Sequence, residues 1–223
     1  MNKWLIMMAG LGLLTLHASG ETLALWENDA LAGNEATAAA NSLGTNIDSA
    51  TLGRGPGGTA TAYARTFAMR LGNSATLANA ITSNRYLTIS IASEAGYEMN
   101  LTNIFIRMTS QNSSAANARN WTLFSDLTGL NPGDELASYV VNAGGATPTL
   151  GDTPLGAISE LQGVTNVQFR LYIWGLPTGE FNQNGIGRPT TADSLDDLII
   201  SGTTGAATPP TPPSSGGTVV IFQ

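Results

Sequence analysis

Beyond its first twenty residues, the chain contains no histidine, no cysteine and no lysine. His17 and Lys3 both lie in that N-terminal segment, and cysteine is absent throughout. These absences exclude the usual general base, thiol nucleophiles and Schiff-base lysines. They also remove the His and Cys ligands that zinc and softer metals require. The composition therefore favours a protein without catalytic activity over an enzyme.

The first twenty residues have the three parts of a secretory signal peptide. Lys3 supplies the positive n-region, residues 4–16 are an apolar run broken only by Gly and Thr, and residues 18–20 offer small side chains to signal peptidase. The run is shorter than the about 20 apolar residues of a transmembrane helix, and no cysteine follows it to carry a lipid anchor. We therefore expect cleavage after Gly20 and secretion to the exterior or surface of the cell; the alternative is an uncleaved N-terminal anchor.

Acidic residues dominate the charge of the chain. There are 16 Asp and Glu against 9 Lys and Arg, a formal net charge of −7, which becomes −8 when Lys3 leaves with the signal peptide. Because binding to phosphate groups needs basic patches, this balance argues against nucleic acid and anionic lipid as partners. The length that remains is enough for one domain whose core needs no disulfide bonds.

Alternation of apolar and polar residues indicates several β-strands. The clearest strand is residues 167–174. Its apolar side chains share one face: Val167, Phe169, Leu171 and Ile173. Further candidate strands are residues 22–26, 86–91, 104–108, 121–124, 138–141 and 198–201. Many short strands between Gly and Pro turns predict an all-β fold, a two-sheet antiparallel jelly-roll sandwich.

Glycine and proline clusters separate the predicted strands. The predicted loops are residues 53–58, 131–134, 144–145 and 185–189. Two alanine-rich segments, residues 34–41 and 76–81, are each predicted to hold a short helical turn. The 53–58 loop lacks the Gly-Lys-Ser/Thr ending of a phosphate-binding loop, and no helix signal follows it, so it is interpreted as a flexible turn.

The composition changes after Gly202, and this change divides the chain. The predicted parts are a signal peptide at residues 1–20, a β-sandwich domain at 21–203, a Pro/Ser/Gly linker at 204–217 and a short apolar tail at 218–223. The Pro-rich linker is expected to be disordered and extended. Because a linker normally connects two parts, either a further segment is missing or residues 218–223 form a strand that docks on a partner.

Three segments occur in an order that resembles a known family. They are residues 23–29, which read Leu-Ala-Leu-Trp-Glu-Asn-Asp, residues 86–108, and residues 169–202, which contain a Phe-Arg-Leu-Tyr strand, a Gly-Arg loop and an Asp-containing last strand. This order, over residues 21–203, is similar to the jelly-roll domains of secreted PEP-CTERM-type bacterial proteins. The resemblance implies an outline like that of lectin-like and carbohydrate-binding sandwiches, and no catalytic activity. The Pro-Glu-Pro motif, apolar helix and basic end of the family are not found in residues 204–223, so membrane sorting is not implied.

The first candidate site is the outward face of the strand at residues 167–174. Opposite the apolar stripe lie Gln168, Arg170, Tyr172 and Trp174. Aromatic rings cover the apolar face of a sugar, while Arg and amide side chains bond its hydroxyl groups, so this face is a candidate platform for polysaccharide. The alternative is that both aromatic side chains pack under loops and that Arg170 pairs with a carboxylate.

The second candidate site is a cluster of carboxylates. The acidic residues near the first and last strands are Glu27, Asp29, Asp193, Asp196 and Asp197. First and last strands are often neighbours in jelly rolls, so these side chains are expected to converge. Clustered carboxylates suit Ca²⁺, the only class of metal that this residue set favours. The alternative is a set of solvated turn acids, one of them paired with Arg188.

These features predict a non-catalytic, exported surface or matrix module that contacts polysaccharide or a surface protein. The alternative is a structural or assembly protein that adds residues 218–223 as a strand to the sheet of a neighbour. A third hypothesis is a glycosidase that uses two carboxylates about 5–10 Å apart, although no pair stands out among the 16 acidic residues. Nucleic acid and stable membrane insertion after signal cleavage are not expected, and structural Ca²⁺ is the one candidate cofactor.

Overall fold

The computed structural model describes residues 20–71, 74–111, 119–141, 148–175, 182–189 and 195–209. The predicted signal peptide up to residue 19, the loop at residues 144–145 and the chain from residue 210 lie outside the described residues. Within the described ranges, no helix combines the length and the apolar character needed to cross a membrane.

Strands make up most of the described chain. In chain order they are β1 (Glu21–Trp26), β2 (Ala38–Ala39), β3 (Ser42–Leu43), β4 (Ile47–Arg54), β5 (Thr59–Ala60), β6 (Thr66–Leu71), β7 (Tyr86–Ser93), β8 (Tyr97–Gln111), β9 (Arg119–Ser125), β10 (Ala137–Val141), β11 (Thr149–Pro154), β12 (Asn166–Trp174), β13 (Asn182–Gly187) and β14 (Leu198–Ala206). The described residues also form one α-helix, α1 (Leu77–Thr82), and short 3-10 turns at Asn28–Ala30 and Ser159–Leu161.

Two antiparallel sheets pack together, which confirms the predicted all-β, two-sheet sandwich. The eight-stranded sheet has the order β3-β1-β14-β8-β13-β6-β5, and β11 pairs with β8 outside this order. The six-stranded sheet has the order β10-β9-β12-β7-β4-β2. The first and last strands, β1 and β14, are neighbours, as expected.

Strict alternation in β7 and β12 builds the centre of the core. The two strands pair antiparallel, and their apolar residues lie opposite each other: Ile91 with Val167, Ile89 with Phe169 and Leu87 with Leu171. All of these side chains are buried between the sheets, together with those of Ile104, Ile106 and Met108 from β8. Removal of this apolar surface from water is the main favourable term for folding. The predictions for these strands are therefore confirmed.

The predicted loop at residues 185–189 is wrong, because residues up to Gly187 belong to β13, between β6 and β8. A Cβ atom at Gly185 would lie 2.9 Å from the Thr66 hydroxyl and 3.0 Å from the Ala68 methyl group. Glycine is required here because β6 comes so close, not because the chain turns. Similarly, β4 includes Gly53 and extends to Arg54, so the turn begins only at Gly55.

Of the two predicted helical turns, one is confirmed and one is wrong. The segment at residues 76–81 overlaps α1, which ends at Thr82 and which Thr76 caps by accepting a hydrogen bond from the Asn79 N–H at 3.2 Å. The segment at residues 34–41 is extended, and it includes β2 paired with β4. The indole of Trp26 donates to the Ala38 carbonyl at 3.2 Å, so tertiary pairing overrides the helix propensity of alanine.

Arg54 joins the two sheets at one end of the sandwich. It lies at the end of β4 in the six-stranded sheet, and its Nε donates to the Ala68 carbonyl of β6 in the other sheet at 2.7 Å. Its Nη atoms donate to the carbonyls of Gly33, at 2.8 Å, and Glu35. The guanidinium carbon lies 3.8 Å from the centre of the Phe67 ring. Burial lowers the pKa of Arg54 to about 10, against the opposing effect of the Glu35 carboxylate.

Tyr139 closes the sandwich along one side, where β10 ends the six-stranded sheet. A Cβ atom at Gly151 of β11 would lie 2.8 Å from the tyrosine ring, so the ring rests directly against the other sheet. Its hydroxyl shares a hydrogen bond with the Thr153 hydroxyl. Burial raises the pKa of Tyr139, and the Asp152 carboxylate adds to this rise, while the hydrogen bond to Thr153 opposes it.

The raised pKa of Tyr139 predicts a loss of stability in alkaline solution. The folded state holds the phenol proton to higher pH than the unfolded state, so the free energy of unfolding falls as the pH rises above about 10. Tyr139→Phe has no such proton, and we expect its unfolding free energy to fall less steeply than that of the wild type. Denaturant unfolding at pH 7 and at a series of alkaline pH values measures the two slopes, and equal slopes would contradict the prediction.

Candidate functional site

The outer face of the six-stranded sheet carries the side chains that point away from the core, and it has two unlike halves. The half near the end of β12 is aromatic and includes Tyr86 and Tyr172, which lie opposite each other in β7 and β12. The other half is polar and includes Ser90 and Gln168, which face each other in the same two strands. Because successive residues of a strand point to opposite faces, both halves follow from one alternation.

Helix α1 covers the aromatic half. Of the two alternatives from the sequence, an open platform is wrong for Tyr172, and a covered aromatic side chain is found. Tyr172 is only 1% exposed and packs against Tyr86 and Phe124, with ring centres 4.9 Å and 5.5 Å away. Ala80 of α1 is buried in the same cluster, and the partly buried Trp174 packs against it. The Trp174 indole donates to the Thr122 hydroxyl at 3.0 Å. Tyr172 therefore offers no surface to a ligand.

Arg170 lies between the two halves. Its guanidinium carbon is 4.9 Å from the centre of the Tyr86 ring, and its Nε donates to the Gln168 amide oxygen at 3.2 Å. The Gln168 Nε2 in turn is 3.5 Å from the Ser90 hydroxyl. The arginine thus contacts an aromatic ring and an amide, and it orients the amide of Gln168.

An open groove occupies the polar half. It has a volume of about 250 Å³ and crosses β4, β7 and β12. Its lining includes hydroxyl, amide and carboxylate groups, whereas the side chains of Ile91 and Val167 are buried in the core. The residues that line it are Ser49, Thr51, Ser90, Ile91, Ala92, Asp126, Asn166, Val167 and Gln168.

The β-ladder arranges the polar groups of the groove in rows across the strands. Thr51 lies opposite Ser90, which lies opposite Gln168 on its other side. Asp126 continues this row beyond β12, because its Oδ1 accepts the Gln168 N–H at 2.9 Å and its N–H donates to the Gln168 carbonyl at 3.0 Å. These rows place hydrogen-bond donors and acceptors on rigid strands, an arrangement that suits a ligand rich in hydroxyl groups.

One member of the predicted carboxylate cluster, Asp197, has a structural role. Asp197 is 2% exposed and serves the fold: its Oδ2 accepts the Asn28 N–H at 2.8 Å, and its Oδ1 lies 3.6 Å from Nη1 of Arg107. Its N–H donates to the Trp26 carbonyl at 2.9 Å. Asp197 therefore joins the last strand to the end of β1 and to β8.

The other described members of the predicted calcium site are more exposed than Asp197. Glu27 is exposed, Asp29 and Asp196 are partly buried, and Asp193 lies outside the described residues. Among the residues that the structure describes, no three acidic or histidine side chains come close enough together to hold a metal ion. Nothing in the described geometry supports a Ca²⁺ site.

The residues of the groove that the sequence did not single out are Ser49, Thr51, Ser90, Asp126 and Asn166. Ser90 could have been predicted as an outward-facing residue, because it is an outward position of the alternating segment at residues 86–91. Ser49 and Thr51 could not have been predicted in this way, because β4 has no run of alternating large apolar residues. Asp126 joins the groove through its hydrogen bonds to Gln168, which no local pattern indicates.

The Asp197 pair predicts a large loss of stability when one partner is removed. Asp197→Ala leaves the buried Arg107 without this carboxylate, and we expect the free energy of unfolding to fall by about 3–5 kcal/mol. Asp196→Ala, at the neighbouring and more exposed position, is the control and should change it by less than about 0.5 kcal/mol. Urea unfolding of both variants measures the difference. Similar small losses in the two variants would show that the pair does not stabilise the fold.

No family model, curated protein or solved structure matches this chain. The likeness to PEP-CTERM-type domains therefore stays a prediction from the sequence. The jelly-roll connectivity also stays a prediction. The groove and the residues that line it are the basis on which a function is proposed below.

Proposed function

We propose that this chain is an exported, non-catalytic module that contacts polysaccharide through the polar groove on the outer face of the six-stranded sheet. The observation that carries the proposal is the row Thr51, Ser90, Gln168 and Asp126, which lines one open groove. Sugars are recognised through hydroxyl groups, and each hydroxyl both donates and accepts a hydrogen bond. The row offers hydroxyl, amide and carboxylate partners for such groups.

The residues of the groove support binding without catalysis. A glycosidase needs two carboxylates on opposite sides of the scissile bond. The lining of the groove contains one acidic residue, Asp126, whose Oδ1 already accepts the Gln168 N–H. The other polar lining residues are neutral, and none is a general base at neutral pH. The sequence of the N-terminal segment, with its signal-peptide pattern, supports export.

The polysaccharide proposal is tested by removing single hydrogen-bonding groups from the groove. We expect Ser90→Ala and Gln168→Ala each to weaken binding about two- to tenfold, since one lost hydrogen bond costs about 0.5–1.5 kcal/mol. Affinity gel electrophoresis against a panel of soluble plant, bacterial and algal polysaccharides measures binding. Ser138→Ala, on the outer face of β10, is the matched control and should bind like the wild type.

Two results would overturn this proposal. The first is that the wild type is not retarded by any polysaccharide of the panel. The second is that Ser138→Ala weakens binding as much as Ser90→Ala and Gln168→Ala, which would place the contact elsewhere on the sheet. Circular dichroism of each variant confirms that the fold is intact.

A second candidate function, assembly with another protein surface, is favoured by β10. This strand ends the six-stranded sheet, carries no charged residue and presents Val140 with 58% of its surface exposed. An uncharged edge strand offers its backbone N–H and C=O groups to a further strand. The apolar residues 218–223, which lie outside the described residues, are the partner strand that the sequence suggests.

The assembly hypothesis predicts an oligomer that a charge on the edge strand disrupts. Val140→Lys places an ammonium group on β10, which deters strand addition. We expect the wild-type chain from Glu21 to Gln223 to associate at high concentration and Val140→Lys to remain monomeric, as measured by light scattering after size-exclusion chromatography. Ser201→Lys, in β14 of the other sheet, is the control. A wild type that stays monomeric throughout would exclude self-assembly.

A further inference from the structure

The size of the groove indicates that it holds only part of its ligand. Its volume of about 250 Å³ is below the about 300–1,000 Å³ of pockets that enclose a small molecule. The groove is also open, since Ser49, Asp126 and Asn166 are exposed. A small molecule would therefore stay largely in solvent here. A polymer instead gains contacts unit by unit along its length.

The rows of polar groups run across the strands. Thr51, Ser90 and Gln168 lie on adjacent strands, so neighbouring groups are about 4.7–4.9 Å apart, which is close to the length of one sugar unit in a linear polysaccharide. A second row, Ser49, Ala92 and Asn166, runs parallel to the first. A chain that crosses β4, β7 and β12 meets one side chain of each row per strand.

Helix α1 blocks the other direction. A ligand that followed β7 or β12 toward Tyr86 and Tyr172 would meet the helix, which buries both aromatic side chains. Across the strands, the row ends at the exposed Asp126 on one side, and on the other side, within the described residues, the sheet continues with the short strand β2. The open path therefore runs across the sheet.

The charges of the groove favour an uncharged ligand. Its lining has one carboxylate, Asp126, and no cationic residue. Arg170 is the nearest cation in the strand register, and its guanidinium already contacts the Tyr86 ring and the Gln168 amide. The net charge of −7 adds to the repulsion of an acidic polymer.

We propose that the groove binds an uncharged, linear polysaccharide that lies across β4, β7 and β12, with Asp126 selecting against acidic polymers. This inference rests on the proposed function and adds the charge and the direction of the ligand. Thr51 extends the row of polar groups across the sheet, and Asp126 sets the selectivity for the charge of the ligand.

The direction of the ligand is tested with two threonines that lie next to Ser90 in different directions on the sheet. Thr51 is its neighbour across the strands, whereas Thr88 is two residues along β7, toward α1. With hexasaccharides of neutral glucan, mannan and xylan in calorimetry, we expect Thr51→Ala to weaken binding about two- to tenfold and Thr88→Ala less than twofold. The reverse order would show that the ligand follows the strands, which overturns the inference and leaves polysaccharide binding standing.

The charge selectivity is tested with polygalacturonate as the acidic probe. We expect it to bind at least tenfold more weakly than the best neutral polysaccharide at low salt, with a smaller difference at high salt, because salt screens exposed charges. Asp126→Asn keeps an oxygen for the Gln168 N–H and should narrow the difference. Tighter binding of polygalacturonate than of every neutral polymer would overturn the inference alone. Absence of binding to both classes would overturn the proposed function as well.

Discussion

The alternation of side chains in β7 and β12 is the constraint on which both surfaces of the six-stranded sheet depend. Leu87, Ile89 and Ile91 fill the core only if the residues between them, Thr88 and Ser90, point outward. A shift of pairing by one residue would bury the polar set and expose the apolar one, so the core locks the register of the groove. Apolar packing on the opposite face therefore fixes the positions of the side chains that line the groove.

The strands with strong alternation were predictable from the sequence, and the way in which distant segments meet was not. β12 and β7 were assigned with the correct faces because each buries one complete apolar stripe. The sequence leaves open whether Tyr172 is exposed, because the element that covers it, α1, comes from residues 77–82, far away along the chain. Gly185 was misjudged for a related reason: the close approach of β6 is a tertiary fact that no local glycine pattern reveals.

The residues of the candidate site were likewise only partly predictable from the sequence. Gln168 and Arg170 were named from the sequence, and the structure places the first in the groove and the second beside it. Asp197 was named as a metal ligand, yet it is buried against Arg107. A carboxylate in a chain with 16 acidic residues has no local mark that separates a ligand from a structural partner. Burial and hydrogen-bond partners supply that distinction.

Helix α1 also bears on the order in which the protein folds. A single helix of this length does not persist alone in water, because nucleation costs more than so few hydrogen bonds return. The helix therefore gains its stability from the aromatic residues of β7 and β12, and we expect it to form after those strands have paired. Its amide protons should then exchange with solvent through local opening, earlier than those of the sheet beneath. Such an opening would briefly expose the ring of Tyr172 to water.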